Sequence, residues 1–158
     1  MAYFDNAATT YPKPNEVYSF MDSFYRTNGG SAGRGEYDLA NTAKGIIDET
    51  RTLVLSLLHC PAKQVVFTPT ATIALNMIIQ GLIGGGAKNV YISPFEHNAV
   101  TRVLYHFEQL GHITVTELIV SKLLEYDLER IRYQFDSHRP DVVIVSHASN
   151  VLCPAKTA

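Results

Sequence analysis

The chain has little of what would tie it to nucleic acid, a membrane or an oxidising compartment. It carries 13 Lys and Arg against 15 Asp and Glu, a net charge of −2. With no basic surplus to neutralise a phosphate backbone, nucleic acid is not an expected partner. No apolar run is long enough to span a bilayer, so no membrane association is expected. The opening residues, M-A-Y-F-D-N-A-A-T-T, contain neither the basic n-region nor the apolar h-region of a signal peptide. There are two cysteines, Cys60 and Cys153, far apart and in neither a CxxC nor a zinc spacing. A pair of that kind without a leader implies reduced thiols and a cytoplasmic location. Glu96, His97 and His147 give no ligand set with helical i, i+4 spacing, so no metal site is expected. A Gly-x-Ser-x-Gly elbow and a Walker lysine are missing too.

What is present is a globular chain of 158 residues, 46% hydrophobic and 18% charged, long enough for one domain with a real core. Residues 1–14 read as an extended polar segment closed by Pro12 and Pro14. A helix begins near Asn15, with Val17, Phe20, Met21 and Phe24 on its apolar face, and stops at Asn28-Gly29-Gly30. The loop S-A-G-R-G-E follows, and Arg34 at its centre either faces an anion or a partner subunit or is solvated. A long helix over 38–58 places Leu39, Ala43, Ile46, Ile47, Val54, Leu57 and Leu58 at core-facing spacing.

From residue 64 the pattern alternates. Gln64–Thr68 reads as a buried strand that runs straight into a helix at Ala71, whose inward side carries Ala74, Leu75, Ile78, Ile79 and Leu82. Further strands are expected over 89–93, 113–120 and 141–146. Helices lie between them, over 98–110 and from an Asp127 cap onward. Such alternation predicts an α/β fold with a mostly parallel sheet and helices on both faces.

Three polar clusters end three of these strands: Thr68 to Thr72, Pro94 to Asn98, and His147 to Asn150. Ligands of open α/β sheets lie beyond the carboxyl ends of parallel strands, so the clusters are expected on one rim. The free N–H groups and dipole of the helix opening at Ala71, ringed by Thr68, Thr70 and Thr72, suit a phosphate. Thr70 can equally be an N-cap. His97 offers a flat ring and a transferable proton, or else serves as a cap. Asn150 offers a carboxamide, or holds its own turn.

Taken together, Y-F-D-N-A-A-T-T at 3–10, S-A-G-R-G with A-x-x-x-I-x-x-x-R through Arg51, T-A-T-I-A-L-N at 70–76, E-H-N-A at 96–99 and H-A-S-N-V-L at 147–152 resemble the N-terminal part of a cysteine desulfurase. These enzymes are class V aminotransferases of fold type I, dependent on pyridoxal 5′-phosphate. The resemblance implies an incomplete large domain over 15–150 and a disordered tail over 151–158. It implies that Ala71 and Thr72 bind the cofactor's phosphate, that His97 stacks on its ring and assists proton transfer as a catalytic residue, and that Asn150 meets its phenolic oxygen. Asn6, Ala7 and Ala8 would line the substrate side, with Arg34 near the entrance.

In the family, the lysine that binds the cofactor covalently and the acid at the pyridine nitrogen follow the asparagine segment. This sequence stops eight residues beyond Asn150, and none of its lysines matches that context. The implied activity of the intact enzyme is removal of sulfur from L-cysteine, leaving alanine. The alternatives are a class V aminotransferase or selenocysteine lyase activity, or an inactive truncated fragment that binds the cofactor reversibly or only self-associates. Uncovered strand edges would favour a homo-oligomer or a complementing C-terminal half as partner.

Overall fold

The computed structural model describes residues 2–6, 8–33 and 35–149. The chain divides into two compact units, Met1–Phe67 and Thr68–Ala158.

The first unit carries two helices, α1 (Asn15–Thr27) and α2 (Asp38–Leu57). Pro14 stands just before α1, where its missing N–H is no loss. The apolar side of α1 stacks Phe20 on Phe24, with ring centroids 6.1 Å apart, yet no residue of this helix is buried. In α2 the buried residues are Ala40 and Ala43. Leu39, Leu57 and Leu58, expected to face a core, are exposed. At Leu39 a close approach decides the matter. Gly30 lies against the backbone of Leu39 and Ala40, so α2 makes its tight contact through small residues and not through its leucines. Residues 64–68, expected as a strand, pair with no strand among the described residues. Val66 and Phe67 are exposed, and the guanidinium of Arg51 lies 5.7 Å from the centre of the Phe67 ring. An apolar β-branched run records a preference for burial. It does not supply the partner that its N–H and C=O groups need.

The second unit runs α3 (Ala71–Gly84), β1 (Asn89–Ile92), α4 (Asn98–Gln109), β2 (Thr114–Glu117), α5 (Leu128–Ser137) and β3 (Val142–Ile144). The three strands form a parallel sheet in the order β2-β1-β3. Val90 pairs with Val115 on one side and with Val142 on the other. Side chains alternate across the central strand, as the pleat requires. Val90 and Ile92 pack with Ile79 of α3 and with Val100, Val103 and Leu104 of α4. Tyr91 points the other way, to Ile131 and Leu118, and its ring meets Phe135 edge-on at 5.0 Å. Its hydroxyl donates to the His138 carbonyl at 2.8 Å. Helices therefore cover both faces of a parallel sheet, the α/β fold the sequence predicts.

Local signals explain the helix ends. The Asp127 side chain accepts from the Arg130 N–H at the start of α5. Gly111, at φ +72°, follows α4 where a left-handed residue ends a helix. α3 is apolar on nearly every side. It meets the core along Leu75, Ile79 and Ile83, which leaves Ile78 and Leu82, two residues expected inside, exposed together with Ile73 and Met77. Among the described residues no helix is long and apolar enough to cross a membrane.

The lower end of the β1–β3 pair is closed by a carboxylate. Asp141 Oδ2 accepts from the N–H groups of Lys88 and Asn89, each at 2.8 Å. These bonds, Asn89's first, hold the Asp141 carboxyl below its ordinary value of 3.8. A carboxyl held low in the folded state stabilises the fold above its unfolded pKa, and that stability is lost as the pH falls through the folded value. Asp141→Asn should therefore melt lower than the parent at pH 7. The gap should close as the pH is taken below 3.8. Melting curves of both proteins across that range check this, and a gap that stays constant down to pH 2 would sink it.

Candidate functional site

The expected cluster at Thr68 to Thr72 follows no strand and instead opens α3, while polar residues follow the ends of β1 and β3. Thr70 caps α3, its hydroxyl accepting from the Ile73 N–H at 3.2 Å. The Thr68 hydroxyl donates to the Thr70 carbonyl at 3.0 Å. Two of the three threonines are thus occupied in shaping the turn. The Thr72 hydroxyl makes no hydrogen bond within the described residues and lines a cavity. Ala71 and Thr72 are the first residues of α3, so their N–H groups lie ahead of the intrahelical ladder.

His97 holds on α4 the position that Thr70 holds on α3. It is the N-cap, and its Nδ1 accepts from the Ala99 N–H at 3.0 Å. That bond settles how the ring is used. Nδ1 contributes a lone pair, so a neutral imidazole carries its proton on Nε2. Of the two sequence-level alternatives for His97, the structure shows the cap, which engages Nδ1 alone.

Thr72 and His97 line the same cavity, of about 500 Å³, between α3 and α4. Asn76 and Gln80 continue its α3 wall one and two turns on, and Arg102 and His106 its α4 wall. The regular spacing follows from helix geometry, since residues four apart share a face. No Asp or Glu is among the described residues lining it. A cavity with hydroxyl, amide and guanidinium donors and no carboxylate favours an anion. Its volume lies within the range of small-molecule sites.

Glu96, part of the E-H-N-A motif, ties the segment after β1 to the segment after β3. Its Oε1 accepts from the Ser93 hydroxyl at 2.7 Å and from the Ser146 N–H, and its Oε2 accepts from the Ser146 hydroxyl at 2.8 Å. The carboxylate thus joins the end of β1 to the end of β3. Its partner stands 50 residues away, so no local spacing could reveal it.

Asn6 and Ala8 belong to the first unit. There the Asn6 side chain accepts from the Tyr11 N–H at 3.2 Å, and the Ala8 N–H donates to the Asp5 carbonyl at 3.1 Å. Ala7, Arg34 and Asn150, and the expected tail at 151–158, lie outside the described residues.

The cysteine desulfurase SufS of Plasmodium falciparum is 27% identical over 160 aligned positions, covering 96% of this chain and 29% of that protein. In fold, the chain is similar to the apo structure of a cysteine desulfurase from Thermococcus onnurineus, with a TM-score of 0.79 at 24% identity, covering 94% of this chain and 37% of that one. It is also similar to a solved NifS-like protein, with a TM-score of 0.80 at 25% identity, covering 94% and 41%. The chain therefore spans less than half the length of these relatives. The aminotransferase class-V sequence model matches residues 2–154, a span that takes in both helical N-termini of the cavity and all three strands beneath them, and on that match the chain belongs to the aminotransferase class-V family.

Proposed function

We propose that the chain forms one wall of a pyridoxal 5′-phosphate site in a cysteine desulfurase-like enzyme. The observation that carries this is that Thr72 and His97, each at the opening of its own helix, share one cavity. The donor set fits the group: two leading N–H groups and a hydroxyl suit a phosphate, and an imidazole face suits a pyridine ring. When bound, the cofactor supplies an electron sink for bond-breaking at an amino acid's carbons.

The chain's own residues do the rest. Ala71 and Thr72 hold the phosphate. The Ala99 N–H fixes the His97 ring through Nδ1, so the ring enters the site with its orientation set and holds or moves a proton at Nε2 alone. Asn150 would meet the phenolic oxygen, and Asn6, Ala7 and Ala8 would line the substrate side, with Arg34 near its entrance. L-cysteine is the substrate in this reading, and a second copy of the chain or a complementing segment is the partner.

Pyridoxine 5′-phosphate, which lacks the aldehyde and cannot react with surface lysines, is the probe of choice. The chain should bind it more tightly than pyridoxine itself, as read by equilibrium dialysis. Thr72→Val removes a hydrogen bond to a charged group and should weaken binding about tenfold. Equal affinity for the two probes, or a nucleotide that binds where the vitamin phosphate does not, would overturn the assignment.

A further inference from the structure

We propose that Glu96 is a positioning residue, whose carboxylate sets where the His97 ring stands relative to the strand end leading to residue 150. The β1–β3 ladder reaches Ile92 and Ile144, followed by one more bond from the Ser93 N–H to the Ile144 carbonyl at 2.9 Å. Beyond that point the two chains leave the sheet. β1 continues through Pro94 and Phe95 to α4, and β3 continues through Val145 towards His147. Backbone pairing no longer holds them together.

Glu96 takes over that task. Both donors of Ser146, its N–H and its hydroxyl, converge on the Glu96 carboxylate. The Ser93 hydroxyl donates to the same group while accepting from the Phe95 N–H at 3.1 Å. Ser93 is 1% exposed, so its hydroxyl is shielded from competing water. Bonds to an ionised acceptor are stronger than neutral ones, and three on one carboxylate fix its orientation. His97 follows Glu96 directly in the chain and is held on its other side by the Ala99 N–H. The imidazole is thus pinned from both directions: to α4 through Nδ1, and to β3 through the preceding residue.

The geometry makes a conservative variant informative. Gln at 96 keeps an acceptor oxygen for the Ser146 N–H, and its amide can donate to the Ser146 hydroxyl once that hydroxyl turns. Ala removes every bond. The test uses the 158-residue chain and two readouts. The first is the NMR signal of the His97 imidazole without ligand, together with hydrogen exchange of the Ser146 amide. The second, which rests on the cofactor reading above, is affinity for pyridoxine 5′-phosphate.

Glu96→Ala should shift the His97 signals, expose the Ser146 amide to exchange, and weaken binding about tenfold. Glu96→Gln should restore most of each. Ser146→Ala removes one hydroxyl and leaves the backbone bond, so it tests the clamp even where Glu96→Ala fails to fold. It should move the His97 signals in the same direction by a smaller amount. Unmoved His97 signals in Ser146→Ala and Glu96→Ala, or an effect that Gln does not rescue, would overturn the proposal. A parent chain that ignores the ligand would overturn the cofactor reading instead, and the NMR arm would still decide the clamp.

Discussion

Leu104→Ala is expected to destabilise the sheet-bearing unit by about 2–5 kcal/mol, the range for emptying a buried leucine site. Leu104 is 1% exposed, among the most deeply buried large side chains in the chain. It lies in the cluster that joins α4 to β1 and to Ile79 of α3. A gap of about 10 Å³ already borders it, walled by Ile79, Ile83, Val90, Val142 and Ile144. Helices and strands surround that gap, and a framework of regular elements collapses poorly into a cavity. The deleted side chain should therefore leave most of its volume empty. For a domain of this size each kcal/mol moves the midpoint by about 4–8 °C. Urea unfolding followed by circular dichroism would measure the loss. A change below about 1 kcal/mol would mean that the core around α4 is loosely packed and collapses into the space. Because His97 caps α4, the same substitution should weaken binding of the phosphorylated probe beyond the effect of stability alone.

Gly30→Ala should be the most damaging small substitution in the first unit. A β-carbon at Gly30 would meet the carbonyl of Leu39 and the amide nitrogen of Ala40. These are backbone atoms of the first turn of α2 and cannot swing aside as a long side chain would. The neighbouring Asn28 is buried, and its Oδ1 accepts from the Gly30 N–H at 2.9 Å, so the glycine is held in place from the other side too. Overpacking of this kind costs about 1–3 kcal/mol, and more where backbone must move. Gly29→Ala is the control, since nothing lies within 4 Å of the position its β-carbon would take. It should stay within about 0.5 kcal/mol of the parent. Equal melting of the two variants would refute the argument from space.

The gap between expectation and structure has one recurring cause. Periodicity reports which side of an element is apolar. It does not report which part of that side finds a partner. α4 has one narrow apolar stripe, and Val100, Val103 and Leu104 along it lie inside. α3 is apolar nearly all round, so its pattern could not choose between Ile79, which is buried, and Ile78, which is not. In α2 the close approach at Gly30 selects Ala40 over Leu39, and a steric fact of that kind leaves no trace in a hydrophobic pattern. Residues 64–68 have every mark of a strand, but a strand exists only through its neighbour.

The sequence by itself determined the helix starts, the strand–helix alternation and the parallel sheet. These follow from short-range chemistry: capping side chains, glycine stops and runs of β-branched residues. It also determined the chemical types at the site, a helix-opening threonine and a histidine at the end of a buried strand. The tertiary structure decided what those groups face. Thr72 and His97 share a cavity because α3 and α4 pack on the same face of one sheet. His97 gives Nδ1 to a cap because α4 begins directly after it. Glu96 acquires a role because parallel pairing carries Ser146, 50 residues on, to within reach of its carboxylate. Contacts between residues so far apart in sequence are set by strand order and register, and only the folded chain fixes those.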